Sequence, residues 1–208
     1  MSHMLVLAAV TAVLKNLLEN GLVDRGITAA LGSDTAISAL PPDRIATGSD
    51  EKVQLNLFLY QVNSKGLSPT SRHVQASGEA AGHGLPRSME MQYLLTAYGT
   101  DDLQTEILLG YGMELFQEMP ILNADALRKL LKAVSSRGGG HLVSASRAAL
   151  ADPLLPQSFR RIKVCPQALQ TEEMVNLWSA FQVSYRPSIA YHVSVELADD
   201  APAAEKGR

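Results

Sequence analysis

The sequence predicts an α+β fold in which helices pack on a single mixed β-sheet of about five strands. Three observations predict it. The stretch "KVQLNLFLYQV" alternates with a two-residue period, so Val53, Leu55, Leu57 and Leu59 share one face and Gln54, Asn56, Phe58 and Tyr60 the other. Over residues 5–22, Val6, Val10, Val13, Leu14, Leu17 and Leu18 recur at helical spacing. The stretch "LWSAFQVSYRPSIAYHVSVEL" (177–197) begins as a helix and ends as a strand, with the short hinge Val183, Ser184, Tyr185, Arg186, Pro187 between. In chain order the elements read helix, three strands, two helices, strand, helix, strand, an α+β pattern.

Each element has its own warrant. The first helix can end at Gly21 or Gly26. A short strand over 35–40 is stopped by Pro41-Pro42, and the alternating strand follows, with Phe58 and Tyr60 implying that its second face is half covered. Residues 64–86 are rich in Gly, Ser and Ala without periodicity and read as a long loop or arm. The strand "RSMEMQYLLTAYG" turns Met89, Met91, Tyr93, Leu95 and Ala97 to one face. Asp101 and Asp102 suit the start of a helix that runs to about Glu118, with an apolar stripe of Leu103, Ile107, Leu108, Tyr111, Leu115 and Met119. Inside it, Gly110 and Gly112 each cost about 1 kcal/mol of helix propensity, which close packing would explain. Pro120 ends that helix, and Asn123 can cap the next, "NADALRKLLKAVSS".

The remainder follows the same logic. Residues 137–157, with Gly138-Gly139-Gly140, form a second irregular segment. The strand "RRIKVC" precedes a helix that Thr171 can cap, with Met174, Leu177, Trp178 and Phe181 facing the core. In the last strand Ile189, Tyr191, Val193, Val195 and Leu197 face inward. The expected organisation is one domain over 1–198 and a loose tail over 199–208.

Composition narrows the function. The chain has 208 residues, 46% of them hydrophobic, a net charge of -3 and a pI near 5.9. That balance speaks against a nucleic-acid partner, which calls for a basic stripe. The apolar run Met4 to Leu14 has no Lys or Arg before it and is shorter than a membrane span. It reads as a buried helix, with no signal peptide, no membrane partner and cytoplasmic synthesis. Cys165 is the one cysteine and reads as a buried structural thiol.

The search for chemistry gives no catalytic, cofactor-binding or metal site. His3, His73, His83, His141 and His192 show no ligand spacing, and His192 falls on the polar face of the last strand. "RGGGHLVSAS" lacks the Lys-Ser/Thr of a phosphate loop, and no serine sits in a Gly-x-Ser-x-Gly elbow. Asp101-Asp102 and Glu172-Glu173 both stand where a helix dipole accounts for them. An enzyme is disfavoured. Pro187 forces Arg186 into extended backbone, with Arg186 pointing outward and Tyr185 at the core edge. The hinge is then either a helix-to-strand corner or a subunit contact, where Tyr and Arg are enriched.

Three segments carry a family resemblance: "GSDEKVQLNLFLYQVN", "MQYLLTAYGTDDLQTEILLGYGMELFQEMPIL" and "RIKVCPQALQTEEMVNLWSAFQVSYRPSIAYHVSVEL". They resemble the tail-terminator, or cap, proteins of extracellular contractile injection systems, the phage-tail-like particles of the antifeeding-prophage and virulence-cassette type. "VTAVLKNLL" and "ALPPDRI" fit as well, and the resemblance leaves out the 64–86 loop, 137–157 and the tail. It implies a tail-terminator-like fold and a ring, six-fold like the tube. Such a ring binds the last disc of the inner tube protein and the end of the sheath protein, inside a particle released from the cell. No catalytic residues or cofactors come with it. The candidate interface residues are Tyr185 and Arg186 of the hinge and Lys65, Arg72 and Arg87 at the arm. The alternatives are a tail-completion or joining protein of a true phage, and a small-molecule enzyme.

Overall fold

The computed structural model describes residues 5–32, 34–65, 88–136, 150, 152 and 154–198. Among the described residues, six strands form one sheet in the order β1-β2-β3-β6-β5-β4. They are β1 (Ala36–Ser38), β2 (Gln54–Lys65), β3 (Ser88–Tyr98), β4 (Ile121–Asn123), β5 (Phe159–Gln167) and β6 (Ser188–Leu197). β1 pairs with β2 in parallel, and the other neighbours are antiparallel. The fold is α+β with a mixed sheet. The sixth strand, β4, escaped the sequence reading because three residues after Pro120, the last of them a helix cap, are too few to show alternation.

Alternation decides what each face holds. Leu55 and Leu57 of β2, Met89, Met91, Tyr93, Leu95 and Ala97 of β3, and Tyr191, Val193, Val195 and Leu197 of β6 all enter the main core. Three helices cover that face: α1 (Val6–Asp24), α3 (Gln104–Glu118) and α4 (Ala124–Ser136), with the short α2 (Ile27–Leu31) following α1. On the opposite face α5 (Thr171–Phe181) sets its Trp178 into a smaller cluster with Leu94 and Ala190 of the sheet. Phe58 meets Phe181 edge to face there, with ring centroids 5.4 Å apart, so the second face of β2 is half covered as expected.

Several sequence readings change. α1 passes through Gly21, because its glycine lets the Tyr111 hydroxyl approach: a Cβ would lie 2.6 Å from that oxygen. The Tyr111 hydroxyl donates to the Leu18 carbonyl of α1. The chain turns instead at Gly26, whose φ of 63° favours glycine. α1 is also longer than its apolar run and passes the length and hydropathy test for a membrane span. Its apolar face, Val6, Val10, Val13, Leu14, Leu17 and Leu18, is spent in the core.

In α3 the buried face is Gln104, Leu108, Tyr111, Gly112, Leu115 and Phe116, whereas the expected Leu103, Ile107 and Met119 are exposed. Leu103 and Met119 are the residues flanking the helix, and Ile107 lies one residue, about 100°, off the buried line through Leu108, Tyr111 and Leu115. Gln104 closes the start of the helix, accepting from the Thr100 and Asp101 amides and donating to the Asp101 carboxylate. Gly112 has the packing reason expected of it, since a Cβ would lie 2.8 Å from Leu95 Cδ2; a Cβ on Gly110 would meet nothing within 4 Å. Asn123 caps α4 by accepting the Ala126 amide at 3.0 Å. α5 is capped by Gln170 rather than Thr171, through a reciprocal box with Glu173. Cys165 is half-buried in β5 rather than fully buried, and His192 is half-buried beside Glu90 at 3.7 Å.

Candidate functional site

Antiparallel pairing brings the start of β2, the end of β3 and the start of β6 to one end of the sheet. The hinge 183–187 therefore meets the turn before β2 and the turn after β3. α5 stops at Phe181 because Gln182 takes the left-handed conformation, φ 57°. From there the chain is led back onto the sheet at Ser188, whose hydroxyl donates to the Arg186 carbonyl at 2.9 Å.

Arg186 does not point outward. Its two terminal nitrogens donate to the two carboxylate oxygens of Glu51, each at 2.7 Å. Glu51 Oε1 also accepts the Gly99 amide at 3.1 Å, which ties all three turns together. The guanidinium lies over the Tyr98 ring, 5.2 Å from its centroid, so the planar cation is stacked on one side and forked on its edge. The Glu51 side chain is 6% exposed and that of Arg186 25%.

Electrostatics agree with the geometry. Burial alone would raise the Glu51 carboxyl, but the Arg186 hydrogen bonds, the Gly99 amide, the Arg186 charge and the Gly48 amide outweigh it and hold it below its ordinary 4.5. Burial pushes the Tyr98 hydroxyl up to about 12, with Arg186 pulling it down and Glu51 pushing it up. Neither group is poised to exchange protons near neutrality. Such a bidentate, stacked ion pair is a brace, with no free acid, base or nucleophile.

Tyr185 does lie at a core edge. Its ring stands edge-on to Trp178 at 5.9 Å, while its side chain is 57% exposed. Trp178 itself is 2% exposed and packs on Phe181 at 6.0 Å. Lys65 ends β2 opposite Ser88, at the far end of the sheet from the hinge, so the structure does not bring it to Tyr185 and Arg186. Arg72 and Arg87 lie outside the described residues. Glu51, Tyr98 and Gly99 were missed from the sequence, where "GSDEKV" shows only a charged strand approach. Among the described residues, no group of three or more His, Cys, Asp and Glu gathers as a metal site would require.

No curated protein matches the sequence. Among solved structures, the chain is similar to the sheath/tube terminator of an extracellular contractile injection system, PVC, in its extended state. That match has 17% identity and a TM-score of 0.42, and covers 87% of this chain and 57% of the other. It is also similar to the tube-terminating cap of the anti-feeding prophage, with 16% identity, a TM-score of 0.43, and coverage of 88% and 55%. The chain thus spans little more than half the length of either. The family model described as the Pvc16 N-terminal domain matches residues 9–208, nearly the whole sequence, and the chain belongs to that family.

Proposed function

We propose that this protein is a terminating cap of a contractile injection particle. It binds the distal end of the inner tube and the last ring of the sheath, stops polymerisation and holds the sheath extended. The observation that carries the reading is the match of residues 9–208 to the Pvc16 N-terminal domain. The uninterrupted stretch "TEEMVNLWSAFQVSYRPSIAYHVSV", which resembles tail terminators, supports it.

The physical logic is simple. A tube built from head-to-tail contacts keeps adding subunits until something covers its end without offering the same surface again. A six-fold end presents six sites, and a hexameric ring engages them together. The partners are therefore further copies of this chain, the tube protein and the sheath protein, with assembly in the cytoplasm and release as part of an extracellular particle. No cofactor, nucleic acid, membrane or turnover enters this role. The brace at the hinge is consistent with it, because its charges are consumed within the fold. The chain acts as one domain over 1–198 with a tail over 199–208. Its arm at 64–86 reaches neighbouring subunits or sheath, with Lys65, Arg72 and Arg87 supplying charge-assisted hydrogen bonds.

Immunogold labelling of purified particles tests the placement. One cluster of label at the end opposite the baseplate is the expected result; label along the sheath, or none, overturns it.

A further inference from the structure

The helices are not held equally. α1 buries ten of its nineteen residues and α3 six of its fifteen, whereas in α5 Trp178 alone of eleven is buried. Hydrogen bonds repeat the contrast. Thr11 of α1 meets the Tyr93 hydroxyl of β3 at 2.8 Å, Asn16 donates to the Leu130 carbonyl of α4 at 3.1 Å, and Tyr111 of α3 donates to the Leu18 carbonyl. Among the described residues, the hydrogen bonds of α5 stay within its own turns and caps, and none crosses to the sheet. What seats α5 is apolar: Trp178 on Leu94 and Ala190, Met174 and Leu177 half-buried around it, and Phe181 edge-on to Phe58.

That seat carries a polar cost. Trp178 Nε1 is buried without a hydrogen-bond partner, and so is Gln167 Oε1 at the end of β5. Gln167 is the register partner of Ala190, so it shares the face on which Trp178 lies. A buried donor or acceptor without a partner has lost its water and gained nothing in exchange, and lifting α5 hydrates both. The ends of α5 suit such a movement. Its capping box, Gln170 with Glu173, belongs to the helix itself and survives detachment. At the other end Gln182 breaks the helix at φ 57°, and four residues on the chain is pinned by the Arg186–Glu51 fork.

We infer that α5 is a strap. It lifts from the sheet as one unit while the side of the fold built on α1, α3 and α4 stays closed, and the Arg186–Glu51 fork is the fixed end at which the opening stops. The seated state dominates, because lifting bares the apolar Phe58, Leu94 and Ala190 to water. The strap is a property of the chain and does not depend on the cap reading.

Native-state hydrogen exchange of the full chain, resolved by residue and repeated at low urea concentrations, tests it. The amides of residues 174–181 share one opening constant, about 100-fold larger than that of the α1 amides, because a local opening lies well below the global one. The α5 constant changes little with urea, since lifting one helix exposes little surface, whereas α1 exchange accelerates steeply. Gln167→Met removes the unpartnered acceptor and slows α5 exchange about fivefold. Arg186→Ala separates strap from fold. It brings α1 exchange up toward that of α5 but leaves the α5 constant within about twofold of the parent, because the fork is intact in both the seated and the lifted states. The α1 amides report in the same measurement that each variant is folded. Parent α5 amides that exchange at the α1 rate, or at rates graded from the helix ends with no common constant, overturn the strap. An α5 constant that rises together with that of α1 in Arg186→Ala overturns the fork as its fixed end.

Discussion

Arg186 and Glu51 set the terms at the scale of the residue. Removing one member of a buried, forked pair strands the other, and Glu51 is the more deeply covered. Arg186→Ala should cost about 3 kcal/mol, the lower end for a buried pair because the arginine is itself partly hydrated. Denaturant unfolding reads this directly. pH supplies a second prediction. The folded carboxyl of Glu51 lies below its ordinary 4.5, so its contribution is complete above that value and fades as pH falls through the lower folded value. Glu51→Gln should flatten the acid limb of stability below 4.5, measured by unfolding as pH falls through that value. Tyr185→Ala should cost only about 1 kcal/mol, the scale of an edge-on aromatic pair, because more than half of the side chain is already in water. The sequence showed that Arg186 must be extended before Pro187, but not its direction. Its partner lies 135 residues away, and no local pattern announces a contact of that span.

Elements were more legible than contacts. Period-two runs fixed the inward faces of β2, β3 and β6, since a strand buried on one side must alternate along its length. β4 was too short to show a period. The stripe of α3 was misread at its ends and edge: Leu103 and Met119 flank the helix instead of belonging to it, and Ile107 sits one residue off the buried line through Leu108, Tyr111 and Leu115. The helix glycines test this arrangement. Gly112→Ala forces a Cβ to 2.8 Å from Leu95 Cδ2 and 3.1 Å from Leu55 Cδ2, so repacking should cost about 1–3 kcal/mol. Gly110→Ala meets nothing within the chain and should stabilise the isolated protein by about 1 kcal/mol through helix propensity. Thermal unfolding of the two variants should shift in opposite directions.

At the scale of the whole molecule, the proposed cap role asks for rigidity where the chain would match the tube and for no surface on which the tube can continue. A mixed six-stranded sheet packed by helices on both faces supplies the rigidity. Family membership was legible because one long motif spans α5, the hinge and β6; the contact surfaces were not, because side-chain direction and partner geometry are absent from a linear pattern. Deleting residues 66–84 should leave the melting transition in place, since the paired parts of β2 and β3 stay joined by a short connection, while sheath retention on purified particles should fall. The most direct test of the account is the length distribution of particles, by electron microscopy, from cells lacking this protein and from the same cells with it restored. The account predicts broadened lengths or sheaths lost from the tube without the protein, and a single restored length with it. Particles of normal length and normal contraction in its absence would contradict the terminator assignment.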